Sequence, residues 1–280
     1  MTTLVFGGSS QIGHFLLPRL VARGDPVLAL SRRPPGNGQE GLRWLTGELP
    51  ADVPALPPLS AIICFGPLPA FADWLARIAL PGTPQVIATS SMSAESKRNS
   101  PVAAERAISR QLREGEAALA NACIRNGLPW TVLRPTLVYG AGLDKSLTPI
   151  ARRALRTRCF PLPAGRGLRQ PVHADDIAQA VLAVLDSPMA AGRILSIGGG
   201  ERLPAGEMFA RVRGSMPVAT LPLPLPAWLL RLGRGALPRL AGPLRRLDAD
   251  LIADNGELQR LLGINPRPFR PHASMWTPKP

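Results

Sequence analysis

The sequence predicts an α/β fold, a doubly wound parallel sheet of about seven strands with a smaller, mostly helical C-terminal part. Two observations support this prediction. Short apolar runs, each the length of one buried strand, alternate with longer segments in which apolar residues recur at helical spacing. The first apolar run is followed directly by a glycine-containing turn and an amphipathic segment, which is the order of a βαβ unit.

This first βαβ unit spans residues 3–33. The run from Leu4 to Phe6 is predicted to be a buried strand, and the helix after the turn begins near Ile12. Gly24 follows the last apolar position of that helix, where glycine commonly ends a helix. The run from Val27 to Leu30 supplies the next parallel strand.

The turn between this strand and helix is the main candidate for a binding site. A phosphate binds backbone N–H groups at a helix N-terminus, and side chains there would block its approach. The spacing Gly7-x-x-Ser10-x-x-Gly13 resembles the glycine turn of the short-chain dehydrogenase/reductase family, with serine at the middle glycine position. The resemblance implies a Rossmann fold in which the turn binds a dinucleotide; a turn without a ligand is the alternative. The candidate residues are Gly7, Gly8, Ser9, Ser10, Gln11, Ile12 and Gly13.

The end of the second strand indicates which dinucleotide is bound. An acidic residue there would hold the ribose 2′-hydroxyl of NAD, but this sequence has Ser31, Arg32 and Arg33. Arginine grips phosphate with two parallel hydrogen bonds. NADP is therefore favoured over NAD, and a solvated basic loop is the alternative.

Three further strands follow in order. Leu42 to Leu45 is the third, and Glu48 and Leu49 after it stand where the family borders the adenine. Ala61 to Gly66 is the fourth strand, and Gly66 stands where the family's loop passes the cofactor. A helix is predicted between Phe71 and Leu80, and Gln85 to Ser91 is the fifth strand.

The fifth strand ends where this family places its catalytic serine. Ser90 and Ser91 occupy that place, and the carboxyl ends of parallel strands face the ligand crevice. Ser91 is therefore the candidate catalytic residue, able to bond a substrate hydroxyl or carbonyl, and Ser90 a candidate cofactor contact. A polar strand terminus without a ligand is the alternative.

The next helix departs from the family. Its start is predicted at Ser100 as N-cap with Pro101 in the first turn. When Gly115 and Glu116 are matched to the family's Gly-Glu-x-x-Leu, the catalytic tyrosine and lysine fall at Ile108 and Leu112. These two apolar residues, four apart, are expected to continue a buried stripe. An aliphatic side chain cannot transfer a proton, so the family's usual acid/base dyad is absent from these positions.

The sixth strand, from Trp130, leads into Arg134-Pro135 and Val138-Tyr139-Gly140. This segment resembles the Arg-Pro-x-x-Val-Tyr-Gly of the extended branch, the NAD(P)-dependent epimerases and dehydratases of nucleotide sugars. In that branch the proline lines the nicotinamide pocket, so Pro135 is a further cofactor candidate. Tyr139, the one tyrosine of the chain, is expected to pack or touch substrate rather than to replace the missing acid/base.

Residues 170–181 resemble the branch's Val-x-Asp-Asp-Val-Ala segment. Asp175 and Asp176 are expected at a helix start. His173 is a candidate base, as are Lys97 and Glu105, although a histidine in such a place more often orders a loop. No second histidine stands at metal-ligand spacing, so no metal is expected.

The resemblance implies two parts. Residues 1–140 and 171–200, which end in a seventh strand from Arg193, form the dinucleotide-binding core, and residues 141–170 and 201–280 form the substrate side. Residues 217–247 are rich in leucine, proline and arginine, and two or three short amphipathic helices are expected there. A cap over the substrate cleft is the preferred interpretation of this stretch, and a membrane-surface helix is the alternative.

The net charge of +14 lies mainly on the substrate side, where residues 141–170 contain seven basic residues and one acidic residue. Such a surface favours an anionic small-molecule substrate, and no nucleic-acid motif is present; a solvated basic surface without a ligand is the alternative. The three cysteines are scattered and no apolar run is long enough for a membrane helix, so a cytoplasmic protein is expected. A homodimer is implied by resemblance alone.

Two functions therefore compete. The first is an atypical NADP-dependent oxidoreductase or epimerase that acts on a nucleotide-sugar-like substrate. The second is a non-catalytic NADP-binding sensor or assembly protein. Loss of the tyrosine and lysine favours the second, whereas retention of Ser90, Ser91 and the Arg-Pro segment favours the first.

Overall fold

The computed structural model describes residues 2–35, 40–226, 228 and 247–276. In chain order its strands are β1 (Thr2–Phe6), β2 (Val27–Ser31), β3 (Leu42–Thr46), β4 (Leu59–Cys64), β5 (Gln85–Thr89), β6 (Trp130–Pro135), β7 (Val138–Tyr139), β8 (Cys159–Pro163), β9 (Leu168–Arg169), β10 (Val172–His173), β11 (Arg193–Ile197), β12 (Leu203–Pro204) and β13 (Leu221–Leu225). Its helices are α1 (Gln11–Ala22), α2 (Leu68–Arg77), α3 (Ser93–Ser96), α4 (Ala103–Arg125), α5 (Thr148–Thr157), α6 (Ala174–Asp186), α7 (Ala205–Gly214) and α8 (Gly256–Leu262).

A seven-stranded parallel sheet forms the centre of the molecule, in the order β11-β6-β5-β4-β1-β2-β3. The chain moves outward in one direction from β1 through β2 to β3, then returns to β4 on the other side of β1. The strand order reverses at this point, and ligands of doubly wound folds bind outside the carboxyl ends of the strands there. The predicted fold class is confirmed.

The two faces of the sheet are covered by different helices because side chains alternate along each strand. Val5 of β1 joins a core cluster that contains residues of α1 and α6. Leu4 and Phe6, its neighbours, join the opposite cluster, which contains residues of α2 and α4. The glycine turn after β1 is therefore held between two packed layers.

Helix α4 differs from the prediction in two ways. It begins at Ala103, with Val102 as its N-cap, and Ser100 instead accepts the Val102 N–H through its side chain at 3.2 Å. The expected buried stripe is wrong, because Ile108 is 41% exposed and Leu112 is only partly buried. The buried face of α4 runs through positions 109, 116, 119 and 123, so 108 and 112 lie beside it.

Within residues 217–247, where short helices are predicted, the segment 221–225 is instead extended. Leu221–Leu225 is a strand, β13, which pairs in parallel with β8. Residue 227 and residues 229–246 of the predicted helical stretch lie outside the described residues. Beside this small sheet a third core cluster contains Tyr139, Phe160 and Trp276. Within the described ranges, no helix is long and apolar enough to cross a membrane.

Candidate functional site

The turn after β1 has the backbone geometry that the motif predicts. Gly7 has φ of +76°, a conformation that favours glycine. A Cβ on Gly13 would lie 2.1 Å from the Gly8 carbonyl oxygen, so helix α1 can approach the turn only with glycine at this position. Ser10 is the N-cap of α1, and its Oγ accepts the Gly13 N–H at 3.2 Å. The Ser10 hydroxyl proton is left to donate outward.

The first N–H groups of α1 have no acceptor within the helix, which is general for helix N-termini. Those of Gln11 and Ile12 stand at this end, together with the positive end of the helix dipole. This end of α1 can bind a phosphate without any charged side chain. The donor set thus fits the pyrophosphate of a dinucleotide.

A crevice of 240 Å³ lies at the carboxyl ends of β1, β2 and β4. Six of the predicted cofactor residues line it: Gly7, Ser9, Arg32, Glu48, Leu49 and Gly66. Phe6, Leu30, Ser31, Gly47 and Pro67 complete the lining. These residues come from four separate stretches of the chain, and the parallel sheet brings them to one edge.

The outer end of the crevice is polar and exposed. Arg32 and Glu48 form a loose ion pair with 3.5 Å between Nη1 and Oε1, and their side chains are 75% and 60% exposed. An exposed pair of this kind contributes little stability and opens easily. Arg33 is exposed beside it, and its N–H donates to the Ser31 hydroxyl at 3.2 Å. Two guanidiniums are therefore available at the end of β2.

Other predicted cofactor residues do not line the crevice. Gly8 is buried against Trp44. Ile12 is buried in the core under α1. The Gln11 side chain reaches across the sheet edge, donating to the Val138 carbonyl at 3.1 Å and accepting the Ala141 N–H at 3.4 Å. Gln11 thus joins the glycine turn to the segment after β7.

The serines after β5 lie at the same edge of the sheet, two strands from β1. The Ser91 Oγ accepts the Ser93 N–H at 3.1 Å, which starts α3 and leaves the hydroxyl proton as a donor. The Ser90 Oγ is buried without a hydrogen-bond partner among the described residues. The Pro135 carbonyl accepts the Met92 N–H at 2.9 Å and so fixes this segment against β6. The Ser90 Oγ is a buried polar atom at this edge that a ligand could satisfy.

The candidate bases are each engaged in local structure. His173 is the N-cap of α6, where Nδ1 accepts the Asp175 N–H at 3.1 Å. Burial, together with the nearby positive charge of Arg267, lowers the pKa of His173 to about 4. Glu105 accepts the Ser100 hydroxyl at 2.6 Å, and Lys97 lies at the C-cap of α3. His173 is neutral at physiological pH and orders the helix start.

Tyr139 cannot replace the missing catalytic tyrosine. It is 1% exposed and packs edge-on against the rings of His173 and Phe269. Burial raises its pKa to about 12. Its role is to join the end of the sheet to the third core cluster.

One ionic cluster near the site was not predicted. Arg134 donates to both carboxylate oxygens of Glu116, at 2.8 and 2.5 Å, and to Glu95 at 2.9 Å. The Glu116 side chain is 3% exposed. The arginine of the Arg-Pro segment therefore anchors α4 and α3 to β6. The only signal of this cluster in the sequence is Glu116, a charged residue on the buried face of α4.

A second cluster fixes the carboxyl end of the chain. Asp175 and Asp176 begin α6, as predicted, and both bond the Arg267 guanidinium at 2.7 Å. Asp175 also pairs with Arg19 of α1 at 2.6 Å. Among the described residues, no group of three metal-ligating side chains could hold a metal ion.

A larger cavity, of 730 Å³, lies at the opposite edge of the sheet, beside the amino ends of β2 and β3. Its lining includes Asp25, Glu40 and Arg43. The lining of this cavity includes no residue of the glycine turn and no helix N-terminus. The crevice at the carboxyl ends is therefore the candidate site, because size alone does not make a binding site.

A doubly wound sheet with a glycine turn at its switch point defines the class of Rossmann-type α/β proteins. Within that class, residues 77–198 match the model of the NAD dependent epimerase/dehydratase family. The resemblance to this family is confirmed. The matched residues include β5 to β11 and the serines, but not the glycine turn.

Similar proteins agree with this match. A UDP-glucose 4-epimerase of Vibrio cholerae is 26% identical over 156 residues, which are 55% of this chain and 47% of that protein. The match thus spans about half the length of the curated relative. A solved UDP-glucose 4-epimerase of Thermotoga maritima, determined with UDP-glucose, shares the fold with a TM-score of 0.70 at 16% identity over 95% of this chain and 94% of that one.

A dTDP-glucose 4,6-dehydratase of Streptomyces venezuelae, determined with NAD and TYD bound, also shares the fold. Its TM-score is 0.69 at 18% identity, over 96% of this chain and 93% of that one. Identities this low establish the common fold and leave the activity of this chain to its own residues.

Proposed function

We propose that this chain is an NADP-binding protein of the epimerase/dehydratase family that has lost the family's proton transfer. The crevice that assembles Gly7, Ser9, Arg32, Glu48 and Gly66 supports the binding. The N-terminus of α1 would hold the pyrophosphate, and Leu49 and Gly66 would border the adenine. Solved structures with this fold were determined with NAD, which supports a dinucleotide as the ligand, and the preference for a 2′-phosphate rests on this chain's own residues.

The preference for NADP rests on Arg32 and Arg33. Both are exposed at the end of β2, where a ribose 2′-phosphate would lie. Arg32 can exchange the Glu48 carboxylate for a phosphate at little cost in free energy, because the Arg32 and Glu48 side chains are both hydrated. Glu48 would keep some affinity for NAD by offering an acceptor to a ribose hydroxyl.

The proposal that catalysis is absent rests on position 108. Ile108 and Leu112 stand in the tyrosine and lysine places, and neither can exchange a proton. Tyr139 and His173, which could, are buried and bonded elsewhere. Bound NADP would supply hydride chemistry, but this chain would act as a sensor or assembly protein whose ligand is the dinucleotide.

A second candidate function is an atypical oxidoreductase or epimerase. The observation that favours it is the pair of serines after β5, in which Ser90 has an unpartnered buried hydroxyl and Ser91 a free hydroxyl proton. Ser91 would then polarise the carbonyl of a nucleotide-sugar-like substrate. The relatives' UDP-glucose and TYD make an anionic nucleotide the expected substrate class. Residues 141–170 and 201–280 would form the substrate side, as the family resemblance implies.

The binding proposal is tested by calorimetric titration of the purified chain with NADPH and NADH. We expect NADPH to bind at least roughly tenfold more tightly, the equivalent of about 1.4 kcal/mol. The control is Arg43→Ala, which removes an exposed arginine at the opposite edge of the sheet and should leave both affinities unchanged. Equal affinities would refute the preference for NADP, and no binding of either nucleotide would refute the site.

A further inference from the structure

The candidate crevice covers one half of the ligand edge of the sheet. Its lining comes from the carboxyl ends of β1 and β2 and from the segments after β3 and β4, and the described residues after β5 and β6 do not line it. Its volume is 240 Å³. Pockets that enclose a whole drug-sized ligand usually measure about 300–1,000 Å³, and a dinucleotide is no smaller than such a ligand. The crevice therefore suits half of a dinucleotide, the half that lies at β2.

The polar groups of this half are open to a ligand. Ser9 is exposed in the glycine turn, and the Arg33 side chain is exposed after β2. Arg32 is engaged by the loose pair with Glu48, in which both side chains are more than half exposed. The first N–H groups of α1 need acceptors from outside the helix. An adenosine with a ribose 2′-phosphate and a 5′-diphosphate would supply acceptors to these donors.

The segments after β5 and β6 offer less to a ligand, because their polar groups bond one another. The Ser90 N–H donates to the Leu133 carbonyl at 2.8 Å, and the Met92 N–H donates to the Pro135 carbonyl at 2.9 Å. The Ser91 Oγ accepts a backbone N–H of α3 at 3.1 Å. These two serines leave a ligand their hydroxyl groups, and the Ser90 Oγ is buried.

Helix α4 adds aliphatic side chains to this second half. The Ser109 hydroxyl donates to the Ala94 carbonyl of α3, which fixes this turn of α4 beside the segment after β5. Ile108 next to it is 41% exposed, and Leu112 is partly buried. Neither side chain can bond a ribose hydroxyl or a carboxamide. A nicotinamide riboside placed here would lose water from its polar groups without regaining those bonds, so it should add little affinity.

We infer that the site recognises the adenosine half of NADP alone: an adenosine with a 2′-phosphate and a 5′-diphosphate, whatever group the diphosphate carries. This inference rests on the proposed function, because both place the 2′-phosphate at Arg32 and Arg33. NADP⁺ and NADPH share this half and differ in the nicotinamide ring. A protein that binds them through the shared half responds to the sum of their concentrations and not to their ratio.

The test is calorimetric titration of the full chain with NADPH, NADP⁺, the fragment 2′-phosphoadenosine 5′-diphosphate, and nicotinamide mononucleotide. We expect the fragment to bind no more than roughly fivefold more weakly than NADPH, NADP⁺ to match NADPH within roughly fivefold, and the mononucleotide not to bind. Arg33→Ala should weaken NADPH and the fragment alike, roughly tenfold. Ile108→Ser, an exposed change on the other half, is the matched control and should alter neither affinity.

The outcomes separate this inference from the proposed function. Fragment affinity close to that of NADPH, weakened in parallel by Arg33→Ala, supports the inference. A fragment that binds more than roughly fivefold more weakly than NADPH overturns it and leaves the proposed function intact, as does a larger preference for either redox state or a loss of NADPH affinity in Ile108→Ser. If neither NADPH nor the fragment binds, the proposed function itself fails, and the inference fails with it.

Discussion

The glycine turn and the first half of helix α4 flank the same edge of the sheet. The turn keeps the glycines of the family pattern, whereas α4 lacks its tyrosine and lysine. At the turn, Gly7 has a positive φ, and Gly13 lets helix α1 approach the Gly8 carbonyl closely. The proposed pyrophosphate site requires both features. At α4, positions 108 and 112 hold two aliphatic side chains where proton transfer would need a tyrosine and a lysine. The backbone of the proposed dinucleotide site is therefore retained where the residues for proton transfer are not.

The largest effect on the glycine turn is expected for Gly13→Ala. The added Cβ would lie 2.1 Å from the Gly8 carbonyl oxygen, and backbone on both sides leaves it no room. We expect a loss of at least about 3 kcal/mol in unfolding free energy and roughly hundredfold weaker NADPH binding. Urea unfolding and calorimetry measure the two effects. Gly214→Ala, in α7 with no atom within 4 Å of its added Cβ, is the control: it should leave NADPH binding unchanged and should not lower the unfolding free energy.

The α4 side is tested by Glu116→Gln. This change removes the buried charge that holds Arg134 in two hydrogen bonds. We expect a loss of about 3 kcal/mol in unfolding free energy because the Arg134 guanidinium then has only Glu95 as a charged partner. Asp73→Asn, in the exposed pair with Arg77, should cost less than about 0.5 kcal/mol. Equal losses in the two variants would contradict an anchoring role for Arg134.

The pH dependence of stability tests the state of His173. Its pKa in the folded chain, about 4, lies below the unfolded value of 6.5, so the unfolded state binds the proton more readily. Stability should therefore fall as pH drops from about 6.5 towards about 4, by up to about 3 kcal/mol. His173→Asn keeps an N-cap acceptor without a titrating group and should lack this loss. Identical pH profiles for the two proteins would contradict a neutral capping histidine.

The smallest expected effect concerns the phosphate preference. Arg33→Ala should weaken NADPH binding roughly tenfold, about 1.4 kcal/mol, because one exposed guanidinium is lost. NADH affinity should stay within a factor of two. Calorimetry of both nucleotides measures the ratio, and an equal loss for NADH would show that Arg33 acts on the fold of the loop.

Some of these features could be predicted from the sequence because their signals are local. The turn from Gly7 to Gly13 and the strands around it follow from residues close in the chain, and the structure confirms the fold. The exposure of Ile108 could not be predicted, since a shift of one position turns a side chain by about 100° around a helix. The Arg134–Glu116 pair joins a strand to a helix 18 residues away, which no spacing rule reports.

The proposed function requires that this chain binds NADP and does not transfer a proton with it. The most direct measurement incubates the NADP⁺ and NADPH complexes with UDP-glucose and dTDP-glucose, and follows nicotinamide absorbance together with the sugar's proton NMR spectrum. NMR is needed because an epimerase returns its hydride and leaves the absorbance unchanged. We expect NADPH to bind with no change in either signal. A new sugar or a change in nicotinamide absorbance, lost in Ser91→Ala, would contradict it and establish the enzyme.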